Sequence, residues 1–456
     1  MPLSCKHQGG CIANRNFLVK HHIRLQLKAP PSVRQIPHWQ EILDRKAIAT
    51  SRLHPDIDEI LNRHQVPVWV TREYHPANHQ QWNQAELTHG LDRIFRLILQ
   101  EERPVPPGLI KDLGKLAIVE QVRPSEIVTA HLPSPMPMQL SLNTDVRSRQ
   151  AIHLDEAHRW TQGEPQIKIA VLDTGITLTH PELQEALLPG KDFVDIIDGA
   201  GKFIGDFLGY DDIPDDQVGH GTHVAGIIAG KGIAMPKGVV PRCKILPVRV
   251  LGAMERNGKR VGAGLVDNIN TGIKWAVDQG VHVINMSLGI RQSGGGLPHE
   301  EVVNYAKEKG VSIVAASGND GQEELYYPGA LPHVIAVGAT DETGNIANFS
   351  TYGKQVSLVA PGTNIYSTHL ADNYAFSTGT SHASPFVAGA IALLKSYALK
   401  KRGTQLSDAQ IKHILKHTSD KLDTRFKHRK GGFGRLNLID ALALLDYRLD
   451  RPSITP

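Results

Sequence analysis

Residues 376–394 read FSTGTSHASPFVAGAIALL, with small residues and glycine crowded into a turn before an apolar run. Ala383, Val387, Ala390, Ile391 and Leu394 recur at three- and four-residue spacing, which predicts a helix with a buried face starting near Ser381. Pro385 is expected in its first turn, where a missing N–H costs little. A serine there lies in the positive end of the helix dipole, beside N–H groups without intrahelical partners. That suits a nucleophile whose attack generates an oxyanion. It also suits an ordinary helix cap, so partners elsewhere in the chain must decide.

Outward from this helix, the chain after Gln150 alternates between two patterns. Short apolar strands are predicted at 167–172, 245–251, 281–286 and 311–316, with further apolar segments at 333–337 and 356–360. Helical patterns fall at 224–229, 265–277 and 302–309. Buried strands alternating with helices imply an α/β fold with a mainly parallel sheet covered on both faces. Function gathers at the carboxyl ends of such strands. Asp173 closes one, and Asn319 follows another.

The chain before Gln150 reads differently. Residues 1–20 show no pattern, and 21–128 read as a small α+β domain. Its strands are expected at 23–28, 66–70 and 117–122, and its short helices at 56–63 and 109–116. Leu87, Leu91, Ile94, Phe95, Ile98 and Leu99 predict an amphipathic helix. Residues 129–149, containing HLPSPMPM, read as a linker. The larger domain is expected over 150–447, followed by a tail at 448–456.

Composition narrows the function. The 456 residues are 41% hydrophobic and 21% charged, as in soluble globular proteins. A net charge of +4 gives no electrostatic case for nucleic acid or membrane binding. No run approaches the roughly 18 apolar residues of a membrane span. The polar, basic N-terminus does not resemble a secretory signal, and three cysteines argue against a disulfide framework. A cytoplasmic setting is expected, with secretion as the alternative. Cys5, His7 and Cys11 form one loose group of zinc-ligand types, too little to define a site.

Three stretches carry chemistry: AVLDTG at 170–175, GHGTHVAG at 219–226, and the serine turn. An acyl-transfer site needs a hydroxyl, an imidazole to take its proton and a buried carboxylate to fix the imidazole tautomer. These stretches supply one of each. Taken singly, Asp173 could cap a turn and His220 could begin a helix. Together with VINMSLG at 283–289 and AASGNDG at 315–321, they resemble the subtilisin-like serine proteases, whose triad runs Asp, His, Ser along the chain. The likeness covers about residues 150–445.

The resemblance implies a subtilisin-like three-layer fold and a serine endopeptidase acting on proteins or peptides. It implies Asp173, His220 and Ser381 as the triad, and Asn319 with the backbone of Ser381 as the oxyanion hole. Ser287, Leu288 and Gly289 would pair with substrate backbone. Ala315, Ala316, Ser317 and Tyr326 would line the pocket for the P1 side chain, the residue before the cut. Tyr326 at its floor predicts small or medium P1 residues. His223 is expected to be structural, and His382 stands where the family commonly has methionine. Structural calcium is the reading for Asp211, Asp212, Asp215 and Asp216, with a solvated acidic loop as the alternative. Glu182 matches a calcium carboxylate of many relatives, although 231–237 lacks that site's asparagines. The N-terminal domain resembles an inhibitory propeptide removed within about residues 124–150, against a permanent regulatory domain. An inactive homologue serving as a binding scaffold is the alternative function.

Overall fold

The computed structural model describes residues 21–32, 36–43, 46–101, 103–130, 146–194, 203–204, 212–256, 259–291 and 297–451. The Cys5, His7 and Cys11 group, most of the expected linker and Asp211 lie outside them.

The N-terminal domain contains β1 (His22–Leu27), α1 (Pro55–Arg63), β2 (Val68–Arg72), β3 (Ile94–Leu99), α2 (Pro107–Leu113) and β4 (Val119–Pro124). Its strands form an antiparallel sheet in the order β2-β3-β1-β4. Alternation aims Ile23, Leu25 and Leu27 of β1, with Phe95, Leu97 and Leu99 of β3, at a core shared with Ile57, Leu61 and Leu109. Burying each such side chain is worth about 2 kcal/mol.

The amphipathic helix expected across Leu87–Leu99 does not form. A short helix at Gln84–Thr88 stops before Gly90, which is left-handed at φ 67°, and the chain continues as β3. Gly90 breaks the pattern, and β3 lies between β1 and β2 with every residue buried. Burial on both faces erases the period-two signal that marks a half-buried strand.

The chain leaves the N-terminal domain as β5 (Ile127–Ala130), and the larger domain contains β6 (Lys168–Asp173), β7 (Lys191–Asp192), α3 (His220–Ala229), β8 (Lys244–Arg249), β9 (Gly252–Arg256), β10 (Lys259–Leu265) and α4 (Val266–Asp278). Then come β11 (Val283–Met286), α5 (Glu300–Glu308), β12 (Ser312–Ala316), β13 (Val334–Thr340), β14 (Val356–Pro361), β15 (Ile365–Thr368) and β16 (Tyr374–Ser377). The chain ends with α6 (Thr380–Arg402), α7 (Asp408–Thr418) and α8 (Leu438–Leu449).

Among the described residues, seven parallel strands run in the order β14-β13-β12-β11-β6-β8-β7. Ile169 and Val171 of β6 face a core with α3 and α6, while Ala170 and Leu172 face one with α4. This is the subtilisin-like layering of helix, sheet and helix. A second, antiparallel sheet runs β5-β10-β9 and ends on the short strand Phe203–Ile204.

The free face of the N-terminal sheet docks on α4 and α5 through polar groups. Asp267 meets His22 at 2.5 Å and Arg123 at 2.6 Å, and Arg24 reaches Glu301. Arg96 pairs with Glu73 through two contacts of 2.6 and 2.9 Å and also reaches Asn268 at 2.7 Å. Buried charges of this kind are costly unless paired; Arg123 and Arg24 are paired across the interface, and Arg96 is paired with Glu73 inside the N-terminal domain.

Candidate active site

Asp173 ends β6, at the carboxyl edge of the central sheet. Its Oδ1 accepts a 2.8 Å hydrogen bond from the Thr174 N–H and lies 2.6 Å from His220 Nδ1. His220 opens α3 directly after Gly219, a left-handed residue at φ 96°. Glycine is required at two crossings beside this pair. A Cβ on Gly221 would lie 2.1 Å from the Gly175 carbonyl, and one on Gly175 would lie 2.3 Å from that of Asp215. The helix start can therefore approach the strand end closely enough for the two side chains to meet.

Burial alone would depress the His220 pKa, but the charge and hydrogen bond of Asp173, with a smaller contribution from Asp216, hold it above 6.5. The outer nitrogen, Nε2, is buried without a protein partner.

Among the residues read as candidate calcium ligands, Asp216 lies in the turn before His220. It is buried, and its two oxygens accept from Thr174 Oγ1, Val218 N, Gly219 N, Thr222 N and Thr222 Oγ1 at 2.7–2.9 Å. It locks the turn that launches α3. Glu182 is likewise filled, by the N–H groups of Gly232, Ile233 and Ala234 at 2.6–2.8 Å. Asp216 thus accepts from five donors, and backbone N–H groups take three of the acceptor sites of Glu182. Asp212 is exposed, 3.7 Å from Lys191, and Asp215 is half-buried. No group of three or more His, Cys, Asp or Glu suited to a metal occurs among the described residues.

Ser381 is the second residue of α6. Pro385 is the sixth, beyond the first turn where it was expected. A residue there would donate to the Ser381 carbonyl, and proline cannot. Ser287 Oγ takes over that role, donating to Ser381 O at 2.7 Å. Ser381 Oγ donates in turn to Ser287 O at 3.1 Å. The proline thus leaves a carbonyl that ties the serine turn to the end of β11.

Asn319 follows β12 and is half-buried. Its Oδ1 accepts from Thr380 N at 2.8 Å and Thr380 Oγ1 at 2.9 Å, which leaves its NH₂ group available beside the turn.

Ser287, Leu288 and Gly289 leave β11 beside Ala315, Ala316 and Ser317, since Met286 and Ala315 are paired in register. All six except half-buried Gly289 are buried. The Tyr326 ring lies against two glycines: a Cβ on Gly318 would come within 2.6 Å of it, and one on Gly289 within 3.2 Å of its Cβ. Its hydroxyl bonds to Asp320 and accepts from Arg291 Nε at 3.1 Å. Arg291 closes the ring of contacts with Asp320 at 2.8 Å. Sequence reasoning missed Gly318, Arg291 and Asp320. Two adjacent charges around a tyrosine carry no signal until the loops are folded together.

His223 Nε2 lies 3.1 Å from the carbonyls of Ile365 and Ala375, and burial lowers its pKa to about 3. His382 is fully buried with both ring nitrogens unpartnered, and its ring packs on His223 at 4.5 Å and His220 at 5.5 Å between centroids. Burial first, then the two neighbouring imidazoles, hold it well below its ordinary pKa.

A buried carboxylate–imidazole pair at the carboxyl edge of a parallel sheet, with a serine in the first turn of a helix, is a layout shared with α/β serine hydrolases. Residues 164–434 match the model of the subtilase family of peptidases. The chain is 39% identical over 298 residues to a thermophilic serine proteinase of Bacillus sp. (strain AK1), covering 64% of this chain and 66% of that one. It is 40% identical over 257 residues to subtilisin Savinase of Lederbergia lenta, covering 56% and 84%. It is also 40% identical over 296 residues to the major intracellular serine protease of Bacillus subtilis (strain 168), covering 62% and 86%. The chain belongs to the subtilase family, and its larger domain is that of a subtilisin-like serine endopeptidase.

Proposed function

We propose that Ser381 attacks the scissile carbonyl, His220 takes the serine proton and returns it to the leaving amine, and Asp173 fixes the His220 tautomer. The observation that carries this is the buried 2.6 Å bond between Asp173 and His220 Nδ1, with Nε2 left unpaired. Ser381 Oγ is at present turned to Ser287 O. In this mechanism a substrate N–H pairs with that carbonyl, displaces the hydroxyl and frees it to turn to Nε2. The NH₂ of Asn319 and the N–H of Ser381 then stabilise the oxyanion. Water resolves the acyl-enzyme through the same His220. No step needs a metal or cofactor.

The N-terminal domain, in this reading, is an intramolecular inhibitor removed by cutting within about residues 124–150. Two observations support it. Its outgoing chain, β5, pairs antiparallel with β10, Ala130 opposite Gly262, and is thus added to a sheet edge as a substrate strand would be. Its contact with α4 and α5 is rich in charge, so both surfaces would stay soluble after separation.

Expressing the wild type beside Ser381→Ala tests both parts. A shortened wild type and a full-length variant are expected. Intact chains with peptidase activity would exclude the removable inhibitor. Failure of a fluorophosphonate to label Ser381 in processed protein would favour the inactive scaffold instead.

A further inference from the structure

A second cavity of about 640 Å³ opens outside the catalytic cleft, between β14, α7 and the segments 325–332 and 427–433. Its inner wall is apolar, with Tyr327, Leu331, Leu358, Leu415 and Phe433 among the lining residues. Four lysines also line it, Lys354, Lys412, Lys416 and Lys427, and no described lining residue is acidic.

Three of the four charges are not neutralised locally. Lys412 pairs with Asp408 at 2.8 Å. Among the described residues, Lys354, Lys416 and Lys427 have no carboxylate partner within 4.0 Å. Lys427 Nζ donates to the Lys354 carbonyl at 2.7 Å, which draws their segments together. The ammonium groups of Lys416 and Lys427 both lie 5.3 Å from the centre of the Phe433 ring. Burial and the nearby Lys416 lower the Lys427 pKa, as expected of two cations without an anion. Gln355, also in the lining, has a buried Oε1 without a partner, while its nitrogen donates to the carbonyls of Glu324 and Tyr352.

We propose that this cavity binds a small amphipathic monoanion. Its apolar body packs among Leu331, Leu358 and Leu415, and its charged head bridges Lys354, Lys416 and Lys427. Concave sites with an apolar lining and a few convergent polar groups are the usual form of small-molecule pockets. An anion here removes a repulsion that a neutral ligand would leave in place. The proposal does not rest on the peptidase mechanism.

The test is calorimetric titration of the full-length Ser381→Ala chain with dodecanoate, below its micelle concentration and at low salt. One saturable equivalent is expected, weakened at least tenfold in Lys416→Glu/Lys427→Glu. Dodecanol, with the body but no charge, and acetate, with the charge but no body, should bind at least tenfold more weakly than dodecanoate. Lys354→Glu, on an exposed loop, is the second variant should the double substitution fail to fold, and should weaken binding at least threefold. Absence of saturation, equal binding of dodecanol, or unchanged affinity in the folded variants would overturn the proposal.

Discussion

Individual side chains set the chemistry, and four of them yield measurable expectations. Asn319→Ala should lower kcat by about 10²–10³ with little change in KM, the penalty measured for such a donor in a subtilisin. In the proposed mechanism His220 must be neutral to accept a proton, and its pKa is held above 6.5. The acid limb of kcat/KM should accordingly fall above pH 6.5, and activity should drop as the pH is lowered through it. Tyr326→Gly should raise kcat/KM for peptides with Phe at P1 about tenfold relative to Ala, because the ring presses on Gly289 and Gly318. A wild-type preference for Phe over Ala would refute that reading. The His382 ring makes no hydrogen bond, so His382→Met, similar in bulk, should leave kcat within about threefold.

At the scale of elements, strand ends and helix starts do the positioning. β6 delivers Asp173, α3 begins with His220 and α6 brings Ser381 in its first turn. Asp216 binds the first two together through five donors. Asp216→Ala would strand those donors in the interior and should destabilise the fold by about 3 kcal/mol, read as a lower midpoint in urea unfolding. Activity should fall with it, since the turn before His220 loses its anchor. An unchanged midpoint would mean that water replaces the carboxylate without cost.

Across the whole molecule, the docking of the N-terminal domain couples to pH. His22 and His299 are buried near Asp267, Glu301, Arg24, Arg96 and Arg123, and His38 is buried close by in the N-terminal domain. For all three, burial is the leading cause of a lowered pKa: His22 below 6.5 despite the pull of Asp267, His38 well below, and His299 to about 4. Groups that must stay neutral when packed contribute stability above their free pKa near 6.5, and that contribution is lost as the pH falls towards the packed values. Hydrogen exchange in β1 and α4 of the Ser381→Ala chain should be faster, after correction for intrinsic rates, at pH 5 than at pH 7.5. Equal protection at both values would remove the coupling.

The sequence by itself determined the alternation of buried strands and helices in the larger domain, because strands covered on both faces write themselves as short continuous apolar runs. It also determined which carboxylate, imidazole, hydroxyl and amide the proposed site uses, since each lies at the end of a recognisable element. Other features came only with the tertiary structure. Residues 94–99 became a strand because helices cover one face and the larger domain the other, and no local pattern records such double cover. Asp216 and Glu182 accept from backbone N–H groups of segments that only folding brings to them. The Tyr326, Asp320 and Arg291 clamp, and the Ser287 hydroxyl that serves the carbonyl freed by Pro385, join residues distant in the chain. Sequence fixes which groups exist and which face each element hides; packing decides which of them meet.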